Sequence, residues 1–126
     1  MSEKRLVAFL ESKGSLEILA EIGLEQHCRH IYLRERLHVS SSTLSNRLKE
    51  GVKLGVWEHT LVKNDDNTHK AYQLTGRGLK LFELIQEYDL SEKYREQRQL
   101  GLAINHYEGE VVDEVESGIV DEMPNT

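Results

Sequence analysis

The sequence predicts a mainly α-helical domain closed by one β-hairpin and followed by a C-terminal helix. Three observations carry that expectation. Apolar residues recur at spacings of three and four over several short segments. The run Val56-Trp57-Glu58-His59-Thr60-Leu61-Val62 reads as a strand, and after a turn-rich stretch Ala71-Tyr72-Gln73-Leu74 reads as its return. The 126 residues hold a single proline, Pro124, so no proline interrupts the helical patterns.

Taken in order, Leu6, Val7, Phe9 and Leu10 mark a first helix reaching toward Gly14. Ser15 is placed to cap a second helix carrying Leu16, Ile18, Leu19 and Ile22 and ending near Gly23. Residues 24–30 show no clear pattern. Leu33 and Leu37, four apart, mark a short third helix, with Val39 as a plug behind it. Ser40-Ser41-Ser42 opens a fourth, with Leu44 and Leu48 on one face, and Gly55 closes it. A serine or threonine at such a start accepts hydrogen bonds from the unpaired amides of the first turn, and Ser40 reads as the cap. Residues 63–70 are turn-rich. Thr75 is placed to cap a longer helix whose apolar positions are Leu79, Phe82, Ile85 and Tyr88. A further amphipathic stretch runs from Ser91 to about Tyr107, and the acidic remainder keeps Val111, Val115 and Ile119 at spacing four. This gives a first domain over residues 1–90, an association helix over 91–107 and an acidic tail over 108–126.

Composition narrows the function classes. No stretch approaches the apolar length of a membrane span, and the start of the chain lacks the apolar run of a signal peptide, so the expected location is cytoplasmic. One cysteine, Cys28, permits no intrachain disulfide. Glycine-rich phosphate loops, a nucleophile elbow and zinc-hydrolase spacing are missing, so no enzyme and no cofactor is expected. The net charge of −6 hides an asymmetry: residues 29–80 carry ten bases against five acids, whereas no base follows Arg98 and seven acids lie between Glu108 and Glu122. A basic middle between acidic ends points to a polyanionic partner for the middle.

Two short helices joined by a tight turn let the second enter the DNA major groove, where base edges present a readable donor and acceptor pattern. The N-terminal end of that second helix holds Ser41, Ser42, Thr43, Ser45, Asn46, Arg47 and Lys49. These are the short polar and basic side chains that read bases and grip phosphate. The run from Leu33 through Val39-Ser40-Ser41-Ser42-Thr43-Leu44-Ser45-Asn46-Arg47-Leu48-Lys49, then Gly55-Val56-Trp57-Glu58 and Tyr72-Gln73-Leu74-Thr75-Gly76-Arg77-Gly78, resembles the winged helix-turn-helix regulators of the MarR, HxlR and PadR groups over about residues 15–90. The resemblance implies double-stranded DNA as partner and regulation of transcription. It implies base contacts from Ser41, Ser42, Ser45, Asn46 and Arg47, phosphate contact from Lys49, and Lys63, His69 and Lys70 on a wing. It further implies a homodimer on a pseudo-palindromic promoter site; because so small a domain has limited core for so many apolar helices, residues 94–107, together with the first helix, are the candidate interface, the alternative being that they fold back on their own domain.

The sequence departs from those groups at Gly51, where they carry leucine; a bent or shortened helix, with Val52 and Leu54 supplying the lost contact, is the expectation. Trp57 reads as core or wing-base packing. The acid-rich composition is similar to that of small haloarchaeal regulators, in which salt cations held between carboxylates and DNA phosphates would contribute to binding. Two alternatives stand beside the DNA reading. One is a winged-helix protein-interaction module. The other is a metal- or redox-sensing regulator using His27, Cys28 and His30, although only His27 and His30 would share a helical face and no resident metal is expected.

Overall fold

The computed structural model describes residues 3–118. The chain divides after Tyr94 into two units. The first contains α1 (Glu3–Glu11), α2 (Ser15–Glu25), β1 (His27–Cys28), α3 (His30–Arg36), α4 (Ser41–Lys53), β2 (Trp57–Asn64), β3 (Asn67–Leu74) and α5 (Gly76–Glu87). The last helix, α6 (Leu90–Glu116), starts in the first unit and makes up most of the described part of the second. Helices with a small antiparallel sheet of order β1-β3-β2 form a winged helix, as the patterning predicts.

The core is the union of the predicted apolar faces. Phe9 of α1, Ile18, Leu19 and Ile22 of α2, Leu33 of α3, Leu44 and Leu48 of α4, Trp57 of β2 and Ile85 of α5 meet in one cluster. Burying each of these large side chains contributes roughly 1.5–3 kcal/mol relative to leaving it in water. Phe9 meets the Trp57 ring edge-on at 5.5 Å between centroids, which ties α1 to the base of the hairpin.

Several local expectations change. Ser15 does not cap α2. Gly14 does so from the left-handed region, at φ 88°, and Ser15 becomes the first helical residue, with its hydroxyl buried and without a protein partner. Gly23 does not end α2, which runs on to Glu25; a side chain at Gly23 would meet the Phe82 ring. The featureless residues 24–30 contain β1, which pairs His27 with Gln73 and Cys28 with Tyr72. The hairpin is much tighter than the turn-rich run 63–70 suggests. Its strands pair without interruption from Trp57↔Leu74 to Asn64↔Asn67, and only Asp65 and Asp66 form the turn, with Asp65 at φ 55°. On α5 the buried face is Gly78 and Ile85, with Leu81 and Phe82 packed against the core; Leu79 and Tyr88 are exposed. The helix expected over 91–107 begins at Leu90 and continues to Glu116, so residues 108–116 are helical. Ile119, Asp121, Glu122 and Pro124 lie outside the described residues.

The expectation at Gly51 is overturned with a physical reason. The helix neither bends out nor stops there; α4 continues to Lys53. Gly51 is buried beneath the Trp57 indole, and a Cβ at position 51 would collide with that ring. Trp57 also donates its indole N–H to the Leu48 carbonyl at 2.9 Å. The Trp57 ring of β2 fills the space over Gly51; of the two residues expected to supply the lost contact, Leu54 packs against the core as expected, whereas Val52 faces solvent.

Candidate nucleic-acid interface

The local sequence sets the helix-turn-helix. α3 ends at Arg36; Leu37 follows in extended conformation and is buried, and Val39 is half-buried behind the turn. Ser40 then caps α4: its Oγ accepts the Thr43 amide at 3.1 Å. The same oxygen donates to Thr43 Oγ1 at 2.9 Å. Thr75 does the equivalent for α5, accepting the Gly78 amide at 3.1 Å and donating back to the Gly55 and Val56 carbonyls. One threonine thus joins the end of the α4–β2 connection to the start of α5.

On α4 the buried positions Leu44, Leu48 and Gly51 fall four and three apart and turn one stripe inward. The opposite stripe, Ser42, Asn46, Lys49 and Lys53, is exposed along the length of the helix. Ser41 is exposed at its start, and Thr43 and Ser45 lie half-buried at the flanks. All seven residues expected on this helix are exposed or half-buried.

Arg47 is half-buried and bonded to its surroundings. Its Nε donates to the Lys13 carbonyl at 3.0 Å, and its terminal nitrogen pairs with the Glu50 carboxylate. Only 21% of the side chain is exposed. The guanidinium here fastens α4 to the turn between α1 and α2. Two other arginines, both exposed, also contact neighbouring groups of the chain. Arg36 lies over the Tyr32 ring, 4.9 Å from its centroid, and Arg77 donates to the Leu54 carbonyl at 2.8 Å, closing the C-terminal end of α4. The bases left pointing outward on α4 are lysines. A lysine is a point charge suited to phosphate, whereas an arginine fork is suited to a guanine edge.

The hairpin splits the three wing residues. Directly paired residues share a face, so Lys70 opposite Leu61 and Lys63 opposite Thr68 lie on one side of the ribbon. His69, opposite Val62, lies on the other and is half-buried. Leu61, 71% exposed, sits between the two lysine positions. His59 and Tyr72 stack on that same face at 4.6 Å, nearer the sheet's base.

His27, Cys28 and His30 do not converge. Strand alternation sends His27 and Cys28 to opposite sides of β1, and the Cys28 thiol is buried and donates weakly to the Glu21 carbonyl at 3.7 Å. Among the described residues no three His, Cys, Asp or Glu side chains are grouped to hold a metal ion. Nor, among them, is any helix long and apolar enough to cross a membrane. Sequence reading gave no sign of the Arg47 contact, whose partner lies 34 residues upstream; exposed Lys53 continues the Ser42–Asn46–Lys49 stripe by one more turn.

No model of a known protein family matches the chain, and no curated protein sequence does so at a significant level. Solved structures do match. The reduced form of the transcriptional regulator YodB from B. subtilis superimposes with a TM-score of 0.57 at 20% identity, over 71% of this chain and 89% of that one. A protein described as a MarR-family transcriptional regulator from Listeria monocytogenes, complexed with 26mer DNA, superimposes with a TM-score of 0.56 at 23% identity, over 91% and 85%. A SlyA-like transcription regulator from the same organism gives 0.56 at 23%, over 91% and 83%. At such identities the likeness is one of fold, and the fold of this chain is the winged helix of the MarR-type and YodB-type transcriptional regulators.

Proposed function

We propose that the protein is a sequence-specific, double-stranded DNA-binding transcriptional regulator that works in the cytoplasm by occupancy of a promoter site, not by catalysis. The observation that carries this reading is the exposed stripe Ser42, Asn46, Lys49 and Lys53 on a helix held rigidly from behind by Leu44, Leu48 and the Trp57–Gly51 contact. Asn46 at the centre of the stripe has the side-chain amide that pairs bidentately with adenine. Ser41, Ser42 and Ser45 donate and accept beside it, and Thr43 closes the first turn, where the amides of the helix start favour a phosphate. Lys49 and Lys53 grip the backbone, as do Lys63 and Lys70 from one face of the wing. The DNA-bound Listeria structure of the same fold supports this reading.

The active form is a homodimer on a pseudo-palindromic site. Support comes from α6, where Leu100, Ile104, Tyr107, Val111 and Val115 recur at four, three, four and four and are all exposed. Such a seam is the spacing by which two helices zip together. A twofold dimer would present two copies of α4 to major grooves about 34 Å apart. The acids of the C-terminal stretch would keep the surface hydrated and hold salt cations near the phosphates.

A fluorescence-anisotropy titration with random-sequence duplex, followed by selection of a preferred site, tests the proposal. The expected result is saturable binding that tightens on the selected site and relaxes its preference in Asn46→Ala. Absence of binding to any duplex by the folded protein would leave only a protein-interaction module.

A further inference from the structure

Thr43, Arg47 and Glu50 fall four and three apart on α4, on a flank between its buried and exposed stripes, and all three are half-buried. The turn between α1 and α2 stands against this flank. Arg47 Nε donates to the Lys13 carbonyl at 3.0 Å. A Cβ on Gly14 would lie 3.0 Å from Val39 and 3.9 Å from the Thr43 methyl. The turn is itself fixed: the Ser12 hydroxyl donates to the Ala8 carbonyl at 2.8 Å, and the Ser15 amide donates to the Ser12 carbonyl at 3.2 Å. The carbonyl of Lys13 is thus engaged while its side chain is exposed. Among the described residues its ammonium has no hydrogen bond or ion pair, whereas the Glu50 carboxylate on the same flank is paired with Arg47.

From this arrangement we infer that Lys13 is a DNA-phosphate contact and that Arg47 is the positioning residue that holds it beside α4, an inference that rests on the DNA-binding reading above. An α-helix with its side chains is about 10–12 Å across and the major groove is about 12 Å wide, so a helix seated there has a wall of phosphates along each flank. An element docked on a flank, set back from the outer stripe, meets that wall and not the base edges. The α1–α2 turn is such an element, and Lys13 is its exposed cation. A compact ammonium on a flexible four-carbon stem grips phosphate without demanding one geometry. Contacts of this kind fix register and tighten binding without reading sequence. Arg47 takes part without touching the duplex. Its bond is to the main chain at position 13, so the turn keeps its place when the side chain there is varied.

The test is a salt series of fluorescence-anisotropy titrations of the full chain with short duplexes of several sequences. Wild type is compared with Lys13→Gln and with Lys93→Gln, an exposed lysine on α6. Lys13→Gln is expected to bind every duplex about threefold more weakly and to make the slope of log affinity against log salt shallower by about 0.9, the share of one phosphate contact. Lys93→Gln should keep the wild-type slope. In an Arg47→Met background the further effect of Lys13→Gln should vanish. A wild-type slope in a Lys13→Gln protein that still binds duplex would overturn the contact and leave the DNA reading standing. So would an equal loss of slope in Lys93→Gln, or a loss confined to one sequence. An undiminished effect of Lys13→Gln in the Arg47→Met background would overturn the positioning role. No duplex binding by folded wild type, even at low salt, would remove the DNA reading and this contact with it.

Discussion

The Trp57 indole lies flat on Gly51, with its N–H on the Leu48 carbonyl 2.9 Å away, so that the wing's first residue is bolted to the back of the recognition helix. Replacing Gly51 by alanine sets two effects against each other. Helix propensity gains roughly 1 kcal/mol. Overpacking against a ring that has no room to retreat costs typically 1–3 kcal/mol. Gly51→Ala is therefore expected to be destabilising, and Gly51→Leu, which restores the leucine of the resembling groups, more so. Urea denaturation followed by circular dichroism checks this through a lower midpoint; an alanine variant at or above the wild-type midpoint would show the indole to be displaceable.

Asn46 and Arg47 are adjacent in sequence and differ in surroundings: Asn46 is exposed, whereas Arg47 bonds Lys13 and Glu50. Asn46→Ala is expected to cost about 1–3 kcal/mol on the preferred DNA site and to relax specificity at one base pair. Arg47→Ala is expected to leave the sequence preference unchanged while lowering the thermal midpoint, because its guanidinium bonds Lys13 and Glu50 and not a base. A specificity change in Arg47→Ala, with stability intact, would return that residue to the base-reading set.

Lys63 and Lys70 share one face of the ribbon and His69 occupies the other. Lys70→Ala is expected to weaken all duplexes alike and to reduce the slope of log affinity against log salt by about one ion's contribution. His69→Ala should leave that slope unchanged. Equal slopes for wild type and Lys70→Ala would remove the phosphate role.

The exposed apolar row on α6 is the interface of the proposed homodimer. Ile104→Glu places a charge in the middle of it and is expected to yield a monomer by sedimentation, with the helical circular dichroism of residues 3–94 retained. DNA affinity should fall with dimerisation. A dimer that survives the substitution would place the interface elsewhere.

Tyr32 gives a pH dependence with a definite sign. Burial and the hydrogen bond to the Glu21 carboxylate push its pKa up from 10.0 to about 12. The folded protein therefore holds the phenol proton over a range where the unfolded chain has lost it. The associated stability is fully present below pH 10 and is lost as the pH rises from there toward 12. Tyr32→Phe is expected to flatten that alkaline decline in denaturation experiments. An unchanged decline would assign it to Tyr72 and Tyr94, whose phenol pKa values burial also raises.

How much of this was legible in the sequence follows from the range of each interaction. Ser40 and Thr75 act on amides three residues away, and their caps are visible in a linear reading. Leu44 and Leu48 are one helical turn apart, and their common face is equally plain. β1 has only two residues, too few for any period to show, and exists because β3 offers it an edge. Arg47 reads as a groove residue because its type and position suit one; its engagement by Lys13 depends on how α1 and α4 pack, which no local pattern encodes. His69 looks equivalent to Lys70 until the register fixes which residue stands opposite which.

β1 covers β3 only at Tyr72 and Gln73, so the hairpin beyond them is two strands with a neighbour on neither outer side. A pair of strands without a third is marginal by itself, which makes the ribbon compliant toward its Asp65–Asp66 end and stiff where it enters the sheet. On the proposed reading, the domain would carry two probes of unlike mechanical character: an unyielding helix that demands a matching groove, and a springy finger that adjusts to the curvature of the neighbouring duplex.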